Sequence, residues 1–146
     1  MRRNHSQRGT ALLEAALVTT PTLALFLFIL QMGMILATQQ YYMERARAGA
    51  RYAATTTYSS GNTSNIKNFV CYGNSTAPAG ATSGMFGLKT TMVNVSRLGT
   101  AGTWNDRIQV RISGYSAVSF IPWLSRTIPG KTLTATAPAQ SLGATN

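Results

Sequence analysis

The 146 residues include 13 Lys and Arg against three acids, a formal net charge of +10, yet only 11% are charged and 45% are hydrophobic. That length holds one domain and an extra element rather than two cores. Charge this sparse departs from soluble domains, in which about a quarter of residues are charged, and a single Cys with a single His excludes an internal disulfide or a structural zinc site.

The chain opens on a short basic segment, Met1–Arg8, with Arg2, Arg3 and Arg8. RGTALLE follows, where Gly9 precedes Thr10 and the carboxylate of Glu14 stands at the head of an apolar run. From Ala15 to Ala37 the sequence AALVTTPTLALFLFILQMGMILA has no charge. It exceeds the roughly 20 residues that cross a bilayer core of about 30 Å. A buried helix of a globular domain would need more surrounding protein than this chain supplies. A cleaved secretory signal is the other alternative, but its apolar region runs to about 7–15 residues and ends in small residues. Neither feature is found here. The flanking arginines are balanced in number, with Arg45, Arg47 and Arg51 beyond the far end. Those on the N-terminal side lie closer, which favours a cytoplasmic N-terminus. Pro21 removes one helical hydrogen bond, and Thr19, Thr20 and Thr22 stand beside it to satisfy freed carbonyls; it reads as a bend or a hinge.

A carboxylate inside a spanning helix is disfavoured, less so near the edge. No Lys or Arg follows Glu14 until Arg45, and Arg8 lies on roughly the opposite helical face. Cutting between Gly9 and Thr10 would make Glu14 the fifth residue and create an α-amine that titrates near about 7.7–8.0. In a stack of subunits that amine can pair with a neighbour's carboxylate. The simpler alternative is an uncut anchor whose glutamate reaches headgroup water.

QQYYMERARAGARYAA is rich in helix formers, and Ala46, Gly49, Ala50, Ala53 and Ala54 recur at three- and four-residue spacing that permits close approach. Tyr41 and Tyr42 suit a membrane-interface position. One helix from Leu12 to Ala54 would run about 65 Å at 1.5 Å per residue. Arg45, Arg47 and Arg51 read as a solvated face, with a partner or phospholipid contact as the alternative. TTTYSSGNTSN breaks the helix, KNFVCYG reads as a short strand, and STAPAGATSGMFG as a loop. Cys71 reads as a small buried hydrophobe, with pairing to another chain as the alternative.

Three strands follow. TTMVNVS alternates through Val93 and Val95. DRIQVRISG alternates with Ile108, Val110 and Ile112 on one face and Arg107, Gln109 and Arg111 on the other. TLTATA alternates through Leu133, Ala135 and Ala137. SAVSF reads as a fourth strand leading to Phe120, Ile121, Trp123 and Leu124, an apolar corner that closes the core or faces a partner. The expected fold is α+β: a long N-terminal helix, transmembrane below and amphipathic above, packed against a small antiparallel β-sheet head.

A basic leader, a glycine, four residues, a glutamate and an apolar run make a signal similar to that of type IV prepilins. RGTALLEAALVTTPTLALFLFILQMGMIL with RARAGARYAA resembles the N-terminal region of TadE-like pseudopilins of the tight-adherence (Flp) pilus system. The likeness covers residues 8 to 54, about a third of the chain. It implies a leader at 1–9, a transmembrane helix at 10–37, a helical stalk at 38–57 and an exported β-rich head at 58–146. It further implies cutting after Gly9 by a prepilin peptidase, Thr10 as the mature terminus, and a role for Glu14 in processing and assembly. Implied partners are that peptidase, other pilin subunits, an inner-membrane assembly platform and membrane lipid. The implied location is a bacterial inner membrane with the head periplasmic, or extracellular once in the pilus. Ala15 departs from the aromatic residue that commonly follows the glutamate, so the Glu-Tyr motif typical of the major pilin does not carry over. The major pilin is usually also much shorter, so the resemblance implies a minor or priming pilin of a pilus used in adhesion.

No catalytic set stands out. His5 falls in the leader, Asp106 is the head's one acid, and no G-x-S-x-G or P-loop occurs. No enzyme activity, cofactor or metal is expected. Loss of Arg2, Arg3 and Arg8 takes the formal charge from +10 to +7, and the remainder lacks the Lys/Arg stripe of a nucleic-acid reader. Adhesion to anionic surfaces stays open. An unprocessed single-pass membrane protein with an exported binding head is the alternative reading. Sequons at Asn4, Asn62, Asn74 and Asn94 fit chance in so Ser- and Thr-rich a chain.

Overall fold

A computed structural model of the chain describes residues 6–56, 58–118 and 127–139. Its first element, α1, is a single helix over Ser6–Thr55, about 75 Å long at 1.5 Å per residue. The helix continues through Pro21. The hydroxyls of Thr20 and Thr22 donate to the carbonyls of Ala16 and Val18, each at 2.8 Å. These bonds flank the Leu17 carbonyl that Pro21 leaves without its usual donor.

The lower part of α1 is bare. Leu12, Leu17, Phe26 and Leu36 are exposed by 57–73%, and the segment is long and apolar enough to cross a membrane. The upper part is buried on one face, where Tyr42, Ala46, Ala50 and Ala53 are at most 2% exposed.

The head is built on that face. β1 (Val93–Leu98), β2 (Arg107–Ile112) and β5 (Leu133–Pro138) form an antiparallel sheet in the order β1-β2-β5. Their alternation puts Val93, Val95, Ile108, Val110, Ile112, Ala135 and Ala137 inside, as the period-two pattern requires. α1 packs across β2 and β5. On the outward face, register aligns Asn94 with Arg111 and Thr134, and Ser96 with Gln109 and Thr136. Between β2 and β5 the chain makes a separate hairpin of β3 (Ser116–Val118) and β4 (Thr127–Pro129). SAVSF thus begins as a strand but pairs outside the main sheet. The corner at Phe120, Ile121, Trp123 and Leu124 lies outside the described residues, as do Arg2, Arg3 and His5.

KNFVCYG is helix rather than strand. It ends α2, Thr63–Tyr72, which buries Ile66, Val70 and Cys71 and contacts α1 and β1. The contiguous Phe69, Val70 and Cys71 read as a strand, but the i, i+4 pair Ile66 and Val70 sets the helical face. Gly73, at φ +80, ends the helix and donates its N–H to the Phe69 carbonyl at 2.9 Å, as a left-handed C-terminal glycine does. Arg45 completes the end: its Nε donates to the Val70 carbonyl at 2.8 Å and Nη2 to Phe69 at 2.6 Å. A cation on the last carbonyls of a helix is favourable. Arg45 therefore fastens α2 to α1, correcting its reading as part of a solvated face; Arg47 and Arg51 are exposed.

Tyr42 is likewise a head residue. It is 2% exposed, its hydroxyl donates to the Phe86 carbonyl at 2.8 Å, and its ring meets Tyr115 edge-on at 4.9 Å. The head core thus begins within a turn and a half of the uncharged run's end at Ala37, and Tyr42 is not free for a membrane interface.

Asp106 is the head's acid, and its side chain is 1% exposed. Arg97 grips it with two parallel donors, Nε to Oδ1 at 2.7 Å and Nη2 to Oδ2. The Gly102 N–H adds a third at 3.0 Å. Arg97's bonds, against the pull of burial and with help from Gly102, hold the pKa of the carboxyl down to about 2. Cys71 is buried, and burial pushes its thiol up to about 11, so it is a neutral hydrophobe at physiological pH.

Gly49 marks where α1 and α2 come closest. A Cβ there would lie 2.2 Å from Val70 Cγ2, a buried valine with no room to retreat. Gly49→Ala is expected to lower stability by about 1–3 kcal/mol through overpacking, read as a fall in the melting temperature of the detergent-solubilised chain. Asp106 imposes a pH dependence of definite sign. An unfolded aspartate titrates near about 3.9 and the folded one near 2. Its contribution is therefore complete above about pH 4 and vanishes as pH falls towards about 2. Asp106→Asn should melt lower than wild type at pH 7 and lose this acid-side component; an unchanged pH profile would count against the pairing.

Candidate functional site

The residues that the sequence singles out lie in the first turns of α1. Gly9, Thr10, Leu13, Glu14 and Leu17 are exposed, and their spacing of one, three or four residues sets them along one helical face. That face holds a single charge at the entrance to the bare apolar segment.

Gly9 has no structural duty there. It sits inside a regular helix, and a methyl group placed on its Cα would meet nothing within 4 Å. An interior helical glycine costs about 1 kcal/mol relative to alanine. At Gly49 that cost is offset by close packing; at Gly9 no packing offsets it.

Glu14 is exposed, and among the described residues no cation lies within ion-pair range of it. The helix dipole does not account for it either. The first turn of α1 holds no acid, Glu14 falls two turns later, and the dipole's influence fades within one turn. Thr10 lies one turn before Glu14, about 6 Å lower along the axis. A positive charge at Thr10 would therefore stand beneath the carboxylate, within the i, i+4 reach of one helical face.

Pro21 sits three turns above Gly9, within the apolar segment and away from this face's charged end. Structure thus brings Gly9, Thr10 and Glu14 together and leaves Pro21 apart.

Two features are missed by sequence reasoning. Arg45 as a helix cap is hidden because its acceptors lie 24 and 25 residues away. Trp104 lies in a turn-rich stretch, TAGTWND, which joins β1 to β2. It is 86% exposed, and only a tertiary view shows that nothing covers it among the described residues. Asp106, the remaining acid in the head, is committed to Arg97, so it is not a free base. No family model matches the chain, and neither a curated protein nor a solved structure shows significant similarity to it.

Proposed function

We propose that the chain is a TadE-like minor pilin or pseudopilin, cut after Gly9 by a prepilin peptidase and used to prime or build a Flp-type pilus that serves adhesion. The observation that carries this reading is Gly9: a glycine without packing or backbone cause, five residues before a carboxylate with no cation among the described residues, at the start of a bare apolar helix. Cutting there gives Thr10 an α-ammonium group, mostly protonated at neutral pH. That charge answers Glu14, either within one chain or between stacked subunits. Removal of the basic leader also frees the apolar segment to leave the bilayer into a fibre, where its exposed Leu and Phe side chains find neighbouring helices. The head then lies outside the inner membrane, and the lipid, the assembly platform and other pilins are its partners.

The alternative, an uncut single-pass membrane protein with an exported binding head, has one observation in its favour. α1 is already helical from Ser6, so the Gly9–Thr10 bond must be unwound before a peptidase can grip it. Gly9 makes that unwinding easier, since it stabilises the helix less than any residue but proline.

Two measurements separate the readings. Intact-mass analysis of the chain co-expressed with a prepilin peptidase should show loss of Met1–Gly9. Gly9→Ala should keep the full mass, with the head's melting temperature unchanged. Efficient cutting of Gly9→Ala, or an uncut wild type beside an active peptidase, overturns the proposal. Glu14→Ala should insert into the membrane normally but fall by about tenfold or more in its incorporation into fibres, as loss of about 1.4 kcal/mol per contact implies. Undiminished incorporation would remove the role assigned to Glu14.

A further inference from the structure

The charge on the outer surface of the main sheet is of one sign. Asp106 is buried and neutralised, Arg97 is consumed by it, and Arg45 caps α2. Glu14 and Glu44 lie on α1, which packs against the inner side of the sheet. The outward face of the sheet therefore presents Arg107 and Arg111 without an acid on any of its three strands. Four residues apart on β2, they stand about 13 Å from each other. Around them are neutral hydrogen-bonding groups: Gln109 between the two arginines, and Thr134 and Thr136 across the register on β5.

At the Arg107 end stands Trp104, 86% exposed. Its loop is braced rather than loose. Thr103 N–H donates to Thr100 at 3.2 Å, Asp106 N–H to Thr103 at 3.0 Å, and Gly102 N–H to the Asp106 carboxylate at 3.0 Å. An indole with its apolar body in water forgoes a large burial gain, and the bracing holds it in that position.

We propose that this outward face of Arg107, Gln109, Arg111, Thr134 and Thr136, with Trp104 in the loop at its edge, binds an acidic polysaccharide. Guanidinium groups pair with carboxylates through two parallel hydrogen bonds. Hydroxyl and amide side chains match sugar hydroxyls as donors and acceptors. The indole offers a flat apolar platform for one face of a sugar ring. Two cations about 13 Å apart amid neutral polar groups fit a polymer whose carboxylates are carried on sugar rings. A polyphosphate or nucleic acid calls instead for a dense Lys/Arg track. The proposal uses the head alone and is independent of whether Met1–Gly9 is removed.

The test uses the full chain in phosphatidylcholine nanodiscs fixed to a biosensor. Polygalacturonate, neutral dextran, polyphosphate and phosphatidylglycerol vesicles are passed over it. Polygalacturonate should bind and dextran should not, with polyphosphate and the vesicles weaker than polygalacturonate. The Arg107→Gln/Arg111→Gln double variant should weaken binding by about tenfold or more and Trp104→Ala by about fivefold, whereas Lys67→Gln/Lys89→Gln should change it by less than about twofold. Melting curves check that each variant is folded; these positions are exposed except for the half-buried Lys67, and Arg107→Lys/Arg111→Lys, which keeps the charge but loses the paired donors, should fall between. Binding by the lysine variant as strong as wild type would reduce the effect to diffuse charge and overturn the site. So would full binding by Trp104→Ala, absent polygalacturonate binding, or tighter binding of polyphosphate or vesicles.

Discussion

Everything above the membrane-length segment depends on how closely α1 approaches the sheet and α2. Ala46, Gly49, Ala50 and Ala53 leave that face of the helix nearly flat, so the branched side chains Ile108, Val110 and Ile112 can press onto it. Large residues there would hold the layers apart and open voids that the small head could not fill. The same helix that offers bulky Leu, Phe and Met to its surroundings below offers almost no side chain to the head above. One rod thus meets two different environments, and the change of side-chain size along it marks where one ends and the other begins.

With so few charges, the environments of several can be followed among the described residues. Arg97 and Asp106 neutralise each other at the end of the sheet and, through Gly102, fix the loop that carries Trp104. Arg45 joins two helices by donating to the Phe69 and Val70 carbonyls at the end of α2. What remains on the head is positive, and on α1 the acids Glu14 and Glu44 are left. Glu14 differs from Glu44 in its setting: it borders the apolar segment, where an unanswered charge is costly.

Patterns with a local cause are legible in the sequence. RIQVRI places three branched apolar residues on one side and three polar ones on the other, and no helical reading accounts for that alternation. The long helix is legible for the same reason, since an uncharged run of that length has few other uses. α2 reads wrongly as a strand because NFVCY packs apolar residues side by side, and its helical signal rests on Ile66 and on Gly73 at either end. Tyr42 reads as a membrane-interface residue because its position relative to Ala37 suits one. Its real partners, Phe86 and Tyr115, lie 44 and 73 positions further along the chain. β4 contains Pro129 and only three residues, too few to show a period. Contacts that depend on distant chain segments leave no local trace.

The three glycines of α1 separate by cause. Gly49 is demanded by Val70, whose methyl group occupies the space a side chain would need. Gly33 has open space around it, but it lies within the apolar segment, about one turn from its far end, where small residues let spanning helices approach each other. Gly9 has neither explanation. It precedes the apolar segment, has open space where a side chain would stand, and adopts a conformation that alanine would adopt more readily. A residue that the fold does not use, and that weakens the helix it belongs to, is best understood through what happens to that stretch of chain when the helix is opened. The carboxylate five residues on leads to the same conclusion from the other side: it has no cation among the described residues, and opening the chain after Gly9 supplies one. Neither residue alone would argue for a cut, but the proposed cut would account for both.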